Sequence, residues 1–84
     1  MLVTIGSITT AERLAGIIER NTGYPADVVH TPASVNKGGC SYSVRFNDRY
    51  EHDVRRLIGE YNVSVKRFYR ESLGANGRVY HDIS

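Results

Sequence analysis

Ser41-Tyr42-Ser43-Val44-Arg45-Phe46 is the stretch that decides the fold. Tyr42, Val44 and Phe46 alternate with Ser41, Ser43 and Arg45, the period of two that sends successive side chains to opposite faces of a strand. One face is expected to be buried and the other exposed, as in an antiparallel sheet covered on one side. Just downstream, Asn47 and Asp48 supply candidate helix caps and Asp48 stands three residues before Glu51. Val54, Leu57, Ile58 and Tyr61 then repeat at helical spacing, and Asn62 is a left-handed stop. Upstream, Thr31-Pro32-Ala33-Ser34-Val35-Asn36-Lys37-Gly38-Gly39 has the composition of a loop, and it delivers Cys40 to the start of the strand.

Farther out, Leu2-Val3-Thr4-Ile5 is a β-prone run ended by Gly6. Thr9 stands three before Glu12, a spacing that predicts a capping box at a helix start. Ala11, Leu14, Ala15 and Ile18 form one apolar stripe, and Asn21-Thr22-Gly23 predicts a left-handed end. After Pro25, Ala26 to His30 reads as a second strand. Val63 to Arg70 reads as a fourth, with Val63 and Val65 on one face and the alternation breaking near Arg67-Phe68 at a bulge or sheet end. Asn76-Gly77 between Leu73 and Val79-Tyr80 predicts a hairpin returning a short C-terminal fifth strand. The order β-α-β-β-α-β is that of an α+β, ferredoxin-like split βαβ sandwich with both helices on one face. Residues 1–71 are read as the domain and 72–84 as a C-terminal extension.

With 84 residues, 40% hydrophobic and 24% charged, the chain suits one small globular domain with little interior for an enclosed active site. Eleven Lys+Arg against nine Asp+Glu give a net charge of +2, interspersed in sign, a faint footprint for a nucleic-acid binder. The single cysteine forms no internal disulfide, and no signal-peptide pattern or spanning apolar run is present, so a cytoplasmic setting is expected. His30, His52 and His81 lack ligand spacing with Cys40, so no metal site is expected, and no cofactor motif appears.

In the expected topology the first and third strands are antiparallel neighbours. The start of the third therefore lies beside the end of the first, where helix one begins, and Cys40 approaches Ser7, Thr9 and Thr10. A helix N-terminus favours a thiolate. The second strand ends at the same edge and brings His30 as a base. Gly39, with Gly38, gives the thiol a flexible approach. Against this stands the common case of a lone cysteine before a strand, a small buried hydrophobe.

Val3-Thr4-Ile5 with Ser7-Ile8-Thr9-Thr10-Ala11, then Thr31-Pro32, then Gly39-Cys40-Ser41-Tyr42-Ser43-Val44-Arg45-Phe46 and finally Phe68-Tyr69-Arg70 carry a resemblance to a family of small bacterial domains, the putative selenium/sulfur carrier-like proteins. It covers roughly residues 2 to 70. Ser41 stands where the family usually has glycine, and Ala33 where a basic residue commonly follows the proline. The resemblance implies a carrier in which Cys40 takes sulfur or selenium as a persulfide or selenosulfide from a donor protein and passes it to an acceptor. It further implies that Ser7, Thr9 and Thr10 offer polar contacts, that Thr31 with Pro32 shapes the loop, and that Lys37 or Arg45 stabilises negative charge.

Two other functions compete. A non-catalytic small-ligand or protein-interaction module would pair as a homodimer through its sheet, since an unpaired edge invites another strand. An RNA-binding domain would need aromatics on the exposed face of the central strands, whereas Tyr42 and Phe46 are expected to face the helices. Independent catalysis is not expected, because no nucleophile, base and orienting group can be assembled from the sequence.

Overall fold

Leu2 to Ile5 is buried at every position. In the computed structural model, which describes residues 1–36, 39 and 41–84, this segment is β1 (Leu2–Ile5). It is followed by α1 (Ile8–Thr22), β2 (Asp27–His30), β3 (Tyr42–Arg45), a 3₁₀ turn over Asp48–Tyr50, α2 (Glu51–Glu60), β4 (Phe68–Gly74) and β5 (Gly77–Asp82). The five strands form one antiparallel sheet in the order β2-β3-β1-β4-β5. The protein is thus α+β, with two helices and a five-stranded sheet.

Parity along the strands places the core. Val3 stands opposite Val44 and Phe68, and these three join Ile5 and Phe46 in a cluster with Ala11, Leu14, Ile17 and Ile18 of α1 and Val54 and Leu57 of α2. Both helices therefore cover the same sheet face. α1 ends as its sequence predicts, at Gly23 with φ of 76°, and Asn62 takes a positive φ of 53° just past α2. Tyr61, expected on the apolar stripe of the second helix, instead lies beyond α2 and is 40% exposed, its backbone carbonyl accepting from Arg13.

The start of α1 corrects the expected capping box. Ser7 is the N-cap: its backbone is extended, and its Oγ accepts the Thr10 amide at 3.2 Å. Gly6 ends β1, so the helix begins as soon as the chain turns, and Thr9 falls within its first turn, exposed. The spacing of Thr9 and Glu12 is accidental. Ser7→Ala is expected to cost about 1 kcal/mol by the usual worth of an N-cap. Thr9→Ala should stay within about 0.5 kcal/mol of the parent in the same denaturant titrations.

Strand four is also displaced. The expected Val63–Arg70 strand begins only at Phe68, although Val63 is buried and Val65 packs against the core. Thr4 explains the delay. Its N–H donates to the Arg67 carbonyl at 2.8 Å, its carbonyl accepts from Lys66 N–H at 2.8 Å, and its Oγ1 accepts from Arg67 N–H at 3.1 Å. Two residues thus oppose one, a bulge, and the threonine hydroxyl satisfies the amide that the bulge displaces. At the far end, Gly74 pairs with Gly77 around a two-residue loop, Ala75-Asn76. Gly77 adopts φ of 115°, and a Cβ on Gly74 would meet Val79 Cγ2 at 2.6 Å. The turn sits one residue earlier than Asn76-Gly77 implies, and β4 runs through residue 71.

The second sheet face differs from the simple exposed face expected of Ser43. Ser43 is 0% exposed, as is Leu2, and Thr4 is 2% exposed. All three stand on the central strands, with Val29, Arg45 and Tyr69 as register neighbours.

On this face Arg45 Nε meets Glu71 at 3.1 and 3.2 Å, and Arg78 meets the same carboxylate at 2.7 Å. Burial by itself would raise the Glu71 carboxyl, but the hydrogen bonds from Arg45 and Arg78 prevail and hold it below its ordinary 4.5. A depressed folded value adds stability above the ordinary carboxylate pH, and that stability is lost as pH falls through the folded value. Glu71→Gln is therefore expected to lower neutral-pH stability by about 0.5–1.5 kcal/mol, solvent at the half-exposed Arg78 weakening the pairing. It should also flatten the acid limb of a stability-versus-pH curve, so that variant and parent converge at low pH.

Candidate functional site

The sheet edge at which β1 ends and β3 begins gathers most of the residues singled out by sequence. In one row across the strands, His30 stands opposite Tyr42, and Tyr42 opposite Ile5. The Gly6-Ser7 turn follows Ile5 directly, so the N-terminus of α1, with Ser7 and Thr10, opens beside this row. The first turn of α1 holds no acidic residue, leaving the positive end of its dipole without a neutralising carboxylate. The His30 and Tyr42 rings lie 5.3 Å apart at 34°, with His30 exposed and Tyr42 half-buried against the core.

The Thr31–Asn36 segment is tied to the sheet at its stem. Thr31 N–H donates to the Ser41 carbonyl at 2.9 Å, which extends the β2–β3 ladder one step past His30. The Thr31 hydroxyl and the Ser43 hydroxyl are 2.7 Å apart, both buried. The Pro32 carbonyl then accepts from Val35 and Asn36, closing a turn, and Val35 is 8% exposed and anchors it. Thr31 and Pro32 thus anchor the 31–36 segment, through a buried hydroxyl pair on one side and a proline-carbonyl turn on the other. Ser43 escaped sequence reading because it sits among polar residues that alternate outward. The pairing of a threonine at a loop stem with a serine twelve residues on is visible only once the register is known.

Cys40 and Lys37 lie outside the described residues. Their described neighbours, Gly39 and Ser41, are exposed, and Gly39 has φ of 83° in the left-handed region that favours glycine. Arg45 is not brought to this edge. It lies at the opposite end of β3, roughly 10 Å along the strand by its rise per residue, and is engaged by Glu71. Thr9 is near the edge but exposed within the helix, without the capping role expected of it.

Lys66, which falls inside the expected fourth strand, comes to the edge as well. The bulge against Thr4 brings it alongside the Gly6 turn, where a Cβ on Gly6 would stand 3.9 Å from Lys66 Cε. The broken alternation before Phe68 was the only signal of it in the sequence. Among the described residues no group of three or more His, Cys, Asp or Glu is arranged to hold a metal ion. Among the same residues no helix is long and apolar enough to cross a membrane.

The arrangement sets a helix N-terminus, a lysine and an exposed imidazole along one sheet edge, groups that favour an anion. In comparison with known proteins, the family model described as "Putative Se/S carrier protein-like" matches residues 1–70. No curated protein and no solved structure matches the chain.

Proposed function

Because the chain belongs to the Se/S carrier protein-like family over residues 1–70, we propose that it carries sulfur or selenium on Cys40 between a donor and an acceptor protein. The observation that carries this reading is the edge itself. Cys40 is two residues before Tyr42 in the chain, and Tyr42 stands in the row with Ile5 and His30 beside the N-cap of α1. The Cys40 thiolate attacks the terminal sulfur of the donor's persulfide, the donor's sulfur–sulfur bond breaks, and the donor leaves as a thiolate. Cys40 then holds the persulfide until an acceptor nucleophile takes its outer atom and returns the thiolate. With selenium the same exchange leaves a selenosulfide.

In this reading the helix dipole and Lys66 favour the anion, Ser7 and Thr10 offer hydroxyls, and His30 exchanges the proton. The protein acts with its partners rather than as an independent catalyst, and works in the reducing cytoplasm. Strand order β2-β3-β1-β4 supports reading residues 1–71 as a ferredoxin-like split βαβ sandwich, to which 72–84 add a hairpin strand.

The test is the pH dependence of Cys40 alkylation in the folded protein and in denaturant, followed by intact mass after exposure to a persulfide donor. The folded thiol should react with a midpoint below the ordinary thiol value of about 8.5, and gain one sulfur. Lys66→Met should move that midpoint upward. A folded thiol protected from alkylation and free of adduct would overturn the proposal.

A further inference from the structure

The two edges of the sheet are built differently. β2 is four residues long and lies between Pro25 and Pro32, the kind of short, proline-flanked edge that resists pairing. β5, Gly77-Arg78-Val79-Tyr80-His81-Asp82, is longer and has neither proline nor lysine within it. Its ladder phase follows from Ile83 N–H donating to the Phe68 carbonyl at 2.9 Å. Antiparallel partners alternate between bonded and non-bonded pairs. His81, Val79 and Gly77 therefore turn their backbone groups toward β4, and Asp82, Tyr80 and Arg78 turn theirs outward.

We propose that β5 pairs antiparallel with β5 of a second copy of this chain, about a two-fold axis at Tyr80. In that register Arg78 stands opposite Asp82 of the second copy and Asp82 opposite its Arg78, while the two Tyr80 residues face each other. Each of these pairs consists of residues whose backbone groups point outward, so every one is a bonded pair. No shifted two-fold register joins all three outward-pointing residues. The charges oppose one another at both ends, as cross-strand pairing favours, and the two Tyr80 rings lie on the same face. Arg78 keeps donors beyond the one it gives Glu71. Val79, 42% exposed, would stand against His81 of the second copy. The contact is isologous and closes after two copies, giving a continuous ten-stranded sheet and leaving the Ser7-His30 edge open.

Sedimentation equilibrium over a wide concentration range tests this. The parent should pass from 9.4 kDa toward twice that mass as concentration rises. Tyr80→Pro removes an outward N–H and no β4 bond, and should weaken association by about tenfold or more. Arg78→Asp and Asp82→Arg should each weaken it by placing like charges opposite, and the double variant R78D/D82R should restore it. Rescue by the swap separates lost pairing from lost folding. A parent monomeric at millimolar concentration, a dimer indifferent to Tyr80→Pro, or a double variant no better than the singles would each overturn the proposal.

Discussion

Cys40→Ser is expected to abolish loading completely: after exposure to a persulfide donor, the variant's intact mass should show no added sulfur while the parent gains one atom. The size of the effect follows from the sequence, because Cys40 is the only thiol in the chain and serine cannot form the sulfur–sulfur bond. Far-UV circular dichroism matching the parent, with Cys40→Ala as a second variant, would separate lost chemistry from lost fold. A folded serine variant that still acquires sulfur would show the adduct to be adventitious and remove the basis for a carrier. His30→Ala leaves the thiol in place and so should slow loading without abolishing it.

The second large effect is structural. Leu14→Ala removes a side chain that is 0% exposed at the centre of the α1 stripe, within the cluster joining both helices to Val3, Val44 and Phe68. Large-to-small changes at such sites cost about 2–5 kcal/mol through lost transfer energy and the cavity left behind. A domain of this size holds only about 5–10 kcal/mol in total, so the loss is a large share of its stability. A fall in melting temperature on the order of 10 °C or more should appear in calorimetry. Ile8→Ala, in the same helix but at a position 44% exposed, should shift it far less. A small loss at Leu14 would mean that the core relaxes into the space.

Elements with a strong local pattern were readable without the fold. The alternation of Tyr42, Val44 and Phe46 gave both the strand and the face that meets the helices, because a period of two is a property of the chain alone. The apolar spacing of α1 and α2 and the left-handed stops at Gly23 and Asn62 are equally local. The gathering of Ser7, Thr10 and His30 at one sheet edge could also be inferred, since it needs only antiparallel neighbours and the order of strands. Local patterns fail where two rival signals stand close together: Ser7 and Thr9 both offer a cap, and only the point at which β1 releases the chain selects Ser7.

What the sequence by itself determined is therefore the kind and order of the elements, the helical faces and the presence of a single thiol. Tertiary structure alone decided which polar residues are buried and which charges meet. Ser43 is hidden because β3 is a central strand, and its hydroxyl finds Thr31 twelve residues away. Arg45 is drawn from the loop edge to Glu71 because β4 runs on past β1. Lys66 reaches the candidate site because Thr4 accepts two residues where a regular ladder admits one. Each of these depends on register between segments far apart in sequence, and register is set when whole faces are buried together, a condition that no local stretch of residues contains.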